Sequence, residues 1–283
     1  HTLLFASRLD DDVSVNGRVP AIEVTRFGYP TDDPYVVRVI TGNNSMRSAM
    51  HTDFTLYTAE LQQIWAGDSR STVIGGRYQY GHMNITNIED TPSFGASSFD
   101  TPAALQDVSG SMRRFSLYGY QQWQPVEPLQ LVGGFSYDWM TAPENVITAP
   151  VSTKEETVSH FSPKGGLIWT PAKDTRLRFA YTQSLGSQNL DESSRIEPVQ
   201  VAGFLQAYRS IIGDPSVSPT GPKKIETLGL ALEQKVGRGT YLGLTGELLD
   251  STIHQTIGAF DSLWDLNEWS IPSGLRQHLD YRE

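Results

Sequence analysis

The chain has 283 residues, a formal net charge of −10 at pH 7 and no cysteine. The lack of cysteine excludes a disulfide framework and a thiolate metal site. The acidic balance argues against nucleic acid as a partner, because phosphate binding needs clustered Lys and Arg. No apolar run approaches the roughly 18 residues that a membrane helix requires, which excludes a helical membrane protein.

Ten segments carry the period-two alternation of apolar and polar residues that is typical of β-strands. In chain order the predicted strands span 1–9, 54–65, 70–81, 113–124, 128–138, 161–170, 174–184, 225–236, 239–250 and 277–283. The alternation is clearest in the last complete hairpin, where leucines lie opposite Thr, Gly and Glu residues. It is less regular in the second strand, because Phe54 and Leu56 lie opposite the face that carries Tyr57.

The connections between these strands alternate in length. Turns of about two to five residues join the strands of each hairpin, as hairpins prefer. The links between hairpins are much longer and span 10–53, 81–112, 139–160, 185–224 and 251–276. Short turns at one end and long loops at the other are typical of outer-membrane barrels. We therefore predict an all-β fold: a partial antiparallel, up-and-down transmembrane β-barrel of about ten strands, forming one domain over residues 1–283.

Three tryptophans, Trp65, Trp123 and Trp169, each lie close to a short turn. An indole prefers the headgroup boundary of a membrane, so three of them at one level predict a membrane-interface girdle. The outer-membrane lipid is therefore a predicted partner of the outer face.

One stretch departs from period two. Within 197–212, apolar residues recur at helical spacing, and Pro198 suits the first turn of a helix. The pattern predicts one short helix inside the longest loop, ending before Gly213.

Several segments also match motifs of a known family. The matching segments are Phe161–Leu167, Pro171, Leu177–Tyr181, Leu129–Asp138 and Ile225–Leu230. The first three together resemble the mid-barrel hairpin of TonB-dependent outer-membrane receptors, and the last two are similar to further strands of that family. The sequence departs from the family pattern at Leu185–Gly186, and the resemblance covers roughly residues 54–283.

The resemblance implies a receptor and transporter of the bacterial outer membrane rather than an enzyme. Such a receptor takes up a scarce nutrient, such as an iron chelate, a cobalamin or an oligosaccharide. It draws energy from a TonB-type protein through a plug, which these residues do not contain. The chain is also similar to barrel portions fused to N-terminal helical repeats. Because His1 opens directly into an apolar run and 277–283 begins another alternating segment, we expect an internal piece of a longer protein.

The long links supply aromatic and cationic residues of the kinds that are common in binding hot spots. The ligand-binding candidates are Trp139, Arg195, Tyr208, Arg209, Trp264 and Trp269. The six histidines are scattered, without a pair at metal-ligand spacing along the sequence. No metal ligand, cofactor or catalytic residue is therefore predicted.

Three other functions are open at this point. In a soluble all-β carbohydrate-binding or polysaccharide-active domain, the apolar strand faces would meet in a sandwich. A passive porin would share the barrel without energy coupling. In an outer-membrane protease with its site at the rim, Asp138 and His160 would activate water.

Overall fold

The computed structural model describes the backbone of residues 1–26, 36–90, 104–186, 195–206, 222–263 and 268–282. Side chains are described for 1–17, 47–88, 105–186, 195–206, 222–259 and 273–282. Within these ranges the ordered elements are strands, and none is a helix.

Twelve strands follow one another along the described part of the chain. They are β1 (Thr2–Arg26), β2 (Val36–Ala66), β3 (Arg70–Asp90), β4 (Ala104–Val126), β5 (Leu129–Asn145), β6 (Ser152–Ala172), β7 (Thr175–Gly186), β8 (Gln200–Val201), β9 (Phe204–Leu205), β10 (Lys223–Val236), β11 (Thr240–Leu263) and β12 (Glu268–Arg282). Ten of them form one sheet in the order β1-β2-β3-β4-β5-β6-β7-β10-β11-β12, in which neighbours are antiparallel. The predicted up-and-down sheet of about ten strands is confirmed.

The sheet has two different ends. At the short-turn end, hairpins close through two or three residues at 67–69, 127–128, 173–174 and 237–239. At the long-loop end the strands run further than we predicted. For example, β11 continues to Leu263 and β12 begins at Glu268, so most of the expected 251–276 link is paired strand. Continued pairing satisfies the backbone hydrogen-bonding groups without requiring an apolar face, which explains why the apolar pattern stops earlier than the strand.

At the long-loop end the first strand also meets a late one. Residues Glu23–Arg26 of β1 pair in parallel with Phe260–Leu263 of β11. In the described part of the chain, β10 pairs with β11 only as far as Ile253. Residues Phe260–Leu263 of β11 therefore have no partner in β10 and pair with β1 instead. The sheet therefore curls round on itself, and its concave side encloses an interior.

The sheet is apolar on its exposed face and polar on its buried face, which is the reverse of the arrangement in a soluble protein. Leucines of β10 and β11 lie on the convex face, 40–73% exposed: Leu228, Leu230, Leu232, Leu242, Leu244 and Leu248. Their strand neighbours Thr227, Gly229 and Ala231 are buried on the concave face. No second layer formed by the described residues covers the leucine rows, so these residues do not form the sandwich that a soluble domain requires.

The helix predicted over 197–212 is wrong for its described part. Residues 200–205 instead form a small hairpin, β8–β9, in which Ala202 and Gly203 turn the chain with positive φ angles of 49° and 85°. A helix needs φ near −63° at both positions. Residues 207–212 lie outside the described part of the chain.

Candidate functional site: the inner wall and the outer belts

The concave face, called the inner wall below, is ionic. Six charged side chains of the described residues are 5% exposed or less: Glu60, Arg77, Arg114, Asp138, Lys164 and Glu197. The set holds three cations and three carboxylates, so their formal charges cancel. Burial of charge is tolerated when the charges are paired or hydrogen-bonded. The contacts below supply partners for five of the six groups, and the Lys164 ammonium donates to the carbonyl of Gln183 at 3.0 Å.

Arg114 of β4 and Asp138 of β5 form the tightest pair of the inner wall. The guanidinium donates from Nε to Asp138 Oδ1 at 3.0 Å, and its Nη2 lies 2.9 Å from the same oxygen. Ser116 adds a 2.6 Å hydrogen bond to that carboxylate, and Arg114 Nη2 also donates to the carbonyl of Leu185 at 2.7 Å. His160 lies opposite Asp138 in the strand register. The carboxylate is already held by Arg114 and Ser116, which does not favour its use as the base of a rim-site protease.

A segment of the long β7–β10 connection folds inward onto this wall. The described residues Arg195–Gln206, called the inner segment below, are anchored by Glu60 of β2. Glu60 accepts the backbone N–H groups of Ile196 and Glu197 at 3.0 Å each, and the hydroxyl of Tyr118 at 2.7 Å. A carboxylate that accepts two backbone N–H groups fixes the path of the chain at that point.

The inner segment is also held through Glu197 and Gln206. Glu197 accepts the Tyr120 hydroxyl at 2.7 Å and lies 3.6 Å from Arg77 Nη1. Gln206 donates to the same Tyr120 oxygen at 2.9 Å. The segment is therefore attached to β4 at both of its ends, and to β3 at its Glu197 end.

The tip of the inner segment packs against strands on the far side of the interior. Phe204 lies so close to Gly229 of β10 that a Cβ at that glycine would overlap the ring. The guanidinium of Arg178 lies 5.2 Å from the Phe204 ring centroid and donates to the Gly203 carbonyl at 3.1 Å. Contacts from β2 to β10 mean that the segment crosses the enclosed space.

A second loop, 146–151, reaches inward near the long-loop end. Asn145 organises it by donating to the carbonyls of Thr148 and Pro150 and accepting the N–H of Thr148. Backbone atoms of Thr148 and Ala149 lie against Gly258 of β11, which has no side chain to displace them. Val146 and Val151 join an apolar cluster with Phe54, Leu56, Met83, Ile85, Met112, Met140 and Ala142. The irregular alternation of β2 thus reflects two inward residues that this loop covers.

The remaining inner wall is lined by hydroxyl groups. Five buried hydroxyl oxygens have no hydrogen-bond partner among the described residues: Ser162, Thr182, Thr227, Ser251 and Ser273. The Nε and Nη1 atoms of Arg77 also have no hydrogen-bond partner among the described residues, whereas its Nη2 donates to the Ser116 hydroxyl at 3.4 Å. Such groups suit contact with water or with a polar surface rather than with an apolar one.

The convex face carries aromatic residues at two levels. Trp65, Trp123 and Trp169 are 40–53% exposed near the short-turn end, as their proposed role in a girdle requires. Eight residues before each of them, on the same face, lie Tyr57, Phe115 and Phe161. Tyr78, Tyr80, Tyr137 and Trp139 lie at or next to this second level in the strand register. We call the two levels the lower and the upper belt.

The separation of the belts agrees with a membrane. Eight residues at about 3.3 Å each and a tilt of about 35–45° give a height of about 20 Å between ring levels, close to the apolar band of about 25 Å of such barrels. Just beyond the upper belt, outward positions carry the polar residues Asp53, Asn84, Ser109 and Ser159. Sequence reasoning missed the upper belt, although an aromatic eight residues before each tryptophan was visible.

The predicted ligand-binding residues have different positions. Trp139 lies within β5, and its side chain is 40% exposed on the outer face. Its assignment to a loop is therefore wrong. Arg195 begins the inner segment, near the buried cations Arg77 and Lys164. Tyr208 and Arg209 lie outside the described residues, as does Trp264. Trp269 belongs to β12, and its side chain is not among those described.

One exposed cluster has ligand types suited to a metal ion. Asp12, His51 and Asp53 lie on the outer face of β1 and β2, beyond the upper belt, with one ligand atom of each within 4.8 Å of the others. His51 Nδ1 is 3.4 Å from Asp12, and His51 Nε2 is 3.5 Å from Asp53. Both ring nitrogens thus face a carboxylate.

Among the described residues, no helix has the length and apolar character needed to cross a membrane. A comparison with curated proteins gave no match.

The solved structures that are similar to this chain include three transport proteins. The copper transporter OprC shares 15% identity over 84% of this chain and 34% of its own, with a TM-score of 0.47. The ferric yersiniabactin uptake receptor FyuA from Yersinia pestis shares 11% identity over 98% and 44% of the two chains, with a TM-score of 0.46.

The third is the ferric-catecholate import receptor Fiu from E. coli K12, with 13% identity over 98% of this chain and 40% of its own, and a TM-score of 0.41. The chain thus spans about a third to under half of the length of these structures. The family model for the TonB-dependent receptor-like β-barrel matches residues 4–220, which is more than half of the chain. The protein therefore belongs to the TonB-dependent receptor β-barrel family, and its place is the bacterial outer membrane.

Proposed function

We propose that this chain is the barrel portion of a receptor that takes up a scarce nutrient in a TonB-dependent manner. The observation that carries the proposal is the distribution of charge: an ionic inner wall lies behind an outer face of exposed leucines bounded by two aromatic belts. A polar interior inside an apolar shell provides a route for a polar solute through a membrane. The family is one of transport receptors, and we propose no catalytic residue.

The inward-folded parts favour a receptor over a passive porin. A porin needs an open, water-filled channel, whereas here the inner segment crosses the interior from Glu60 to Gly229. The 146–151 loop occupies a second position near the long-loop end. Passage of a solute would require these parts to move or to bind it.

We propose a plug and a TonB-type energy-coupling protein as partners, in keeping with the family. The unpaired inner-wall hydroxyls and two nitrogens of Arg77 would accept hydrogen bonds from, or donate them to, a polar plug surface. Outer-membrane lipid would surround the two belts.

For the nutrient we propose an iron chelate, a cobalamin or an oligosaccharide, with an anionic iron chelate as the first candidate. Arg195, Arg77 and Lys164 bring three cations to the region of the inner segment. Cations attract anionic ligands, and Arg can hold a carboxylate with two hydrogen bonds. Tyr208, Arg209, Trp264 and Trp269 remain candidates from their sequence alone.

The test is uptake by Gram-negative cells that produce the full-length gene product. Labelled iron chelates, cobalamin and oligosaccharides should be compared in cells with and without a functional TonB-type protein. We expect one class to accumulate only when the coupling protein is present, and Arg195→Ala to reduce that accumulation. Equal accumulation with and without coupling would indicate a porin and contradict the proposal. Uptake of no class would contradict it as well.

A further inference from the structure

Two histidines that are distant in the sequence meet on the outer face of the last hairpin. The register of β11 and β12 places His254 directly opposite His278. Their Nδ1 atoms lie 3.1 Å apart, and their ring centroids are separated by 4.5 Å. Both side chains are exposed, while the flanking Ile253 and Gln255 are buried on the concave side. The pair therefore projects away from the interior, beyond the leucine rows.

A carboxylate fixes the orientation of one ring. His278 Nε2 lies 3.1 Å from Asp280 Oδ2, and the other carboxylate oxygen accepts the hydroxyl of Thr252 at 3.1 Å. Because a carboxylate accepts hydrogen bonds, the His278 proton is held on Nε2 and the lone pair is left on Nδ1. That lone pair points toward the Nδ1 atom of His254.

We propose that His254 and His278 form a binding site for a divalent transition-metal ion of the Cu²⁺, Ni²⁺ and Zn²⁺ group. Imidazole nitrogen suits these ions, and carboxylate support of a ligating histidine is a recurrent feature of their sites. Two nitrogens at about 2.0–2.1 Å from one ion lie about 3.1 Å apart when the angle at the metal is about 100°, between the square-planar and tetrahedral values. The pair thus needs little rearrangement to hold an ion through Nδ1 of both rings, and water would complete the coordination.

The cluster of Asp12, His51 and Asp53 offers a useful contrast. There, each nitrogen of the single ring faces a carboxylate at 3.4–3.5 Å, and Ser14 contacts Nδ1 at 2.9 Å. In the β11–β12 pair, two ring nitrogens face each other and the carboxylate lies behind one ring. In histidine metal sites, one ring nitrogen binds the ion and the other is hydrogen-bonded to a supporting group such as a carboxylate. The β11–β12 pair has this arrangement.

The experiment is a Cu²⁺ titration of the whole chain in detergent micelles, followed by electron paramagnetic resonance. We expect a bound Cu²⁺ signal with hyperfine coupling to two equivalent nitrogens. His254→Ala and His278→Ala should each remove the two-nitrogen signal. Asp280→Asn should weaken binding roughly tenfold or more, because it removes the carboxylate behind His278. Zn²⁺ should compete with Cu²⁺ for the site.

The matched control is His82→Ala, which removes another exposed histidine whose cross-strand neighbours are Thr55 and Ser111. It should leave the two-nitrogen signal unchanged. A signal that survives in His254→Ala, or the absence of a two-nitrogen signal in the parent chain, would overturn the proposal. So would a signal that disappears only in His51→Ala, because the ion would then lie at the β1–β2 cluster. Circular dichroism of each variant checks that the barrel is folded.

Discussion

The two faces of one sheet show what its surroundings require. The same strands carry exposed leucines on the convex face, 62% exposed at Leu230, and buried charge on the concave face, 1% exposed at Glu60. A soluble protein has the reverse arrangement, because water stabilises charge outside and apolar side chains escape it inside. Here hydrocarbon surrounds the outside, so the apolar residues can stay there without cost. The comparison teaches that the strands separate lipid from a polar interior.

The inner wall does not follow this rule uniformly. Near the long-loop end it carries the apolar cluster around Leu56 and Met83, which the 146–151 loop covers. Further toward the short-turn end it carries Arg77, Lys164 and the inner segment. The apolar inner residues are therefore explained by packing within the protein, and the ionic ones by contact between wall and inner segment.

The largest expected effect is the loss of the buried ion pair. Asp138→Ala leaves the guanidinium of Arg114 buried without its carboxylate, which should lower the free energy of unfolding by about 3–5 kcal/mol. Urea unfolding in detergent micelles measures the change. The matched control is Asp250→Ala, which breaks the exposed pair with Arg282 and should change the stability much less, because water screens the two charges. Equal effects of the two variants would mean that water screens the inner wall as it does the surface.

The next effect tests the outer face. Leu230→Arg places a charge midway between the belts, where hydrocarbon cannot solvate it, and should lower the free energy of unfolding in lipid vesicles by about 2–4 kcal/mol. The matched control is Ser109→Arg, on the same face but beyond the upper belt, where the change should be small. If Leu230→Arg were tolerated as well as the control, Leu230 would not face lipid.

A smaller effect concerns the inner segment. Glu60→Gln replaces one of two acceptor oxygens by a donor that faces the segment's N–H groups, at a cost of about 1–3 kcal/mol. The backbone amides of Ile196 and Glu197 should then exchange hydrogen faster, as measured by mass spectrometry. Glu127→Gln, in an exposed turn at the short-turn end, provides the control. Unchanged exchange at both amides would show that Glu60 does not hold the segment.

The smallest effect is spectroscopic and locates the two belts. In variants that keep only Trp169 or only Trp139, fluorescence should be quenched most by lipids brominated near the headgroup. A tryptophan introduced by Leu230→Trp should instead respond most to bromine near the end of the acyl chain. Quenching of Trp139 that equals the value in water, without any dependence on bromine depth, would remove it from the upper belt.

The strands between the belts could be predicted from the sequence because a local rule governs them. With lipid on one side and a polar interior on the other, the side chains of the β10–β11 hairpin alternate with period two. Each leucine in the sequence therefore indicates which face of the sheet is the outer one. The family resemblance rested on the same strands. The extensions beyond the upper belt could not be predicted, because outward positions such as Asp53 and Ser109 are polar there and apolar residues such as Leu56 and Met83 lie on the inner face instead.

What the sequence determined by itself was therefore the antiparallel sheet and the direction of its alternation, since both depend on neighbours two residues apart. The girdle role of the lower-belt tryptophans stays a prediction. The tertiary structure alone decided the path of the inner segment, where the spacing of Val201 and Phe204 suggested a helix but the wall offered Gly229 and Glu60 as contacts. It alone also brought His254 to His278 across 24 residues. Both outcomes depend on which strands become neighbours, and that is set by hydrogen-bond register across the sheet rather than by any local pattern.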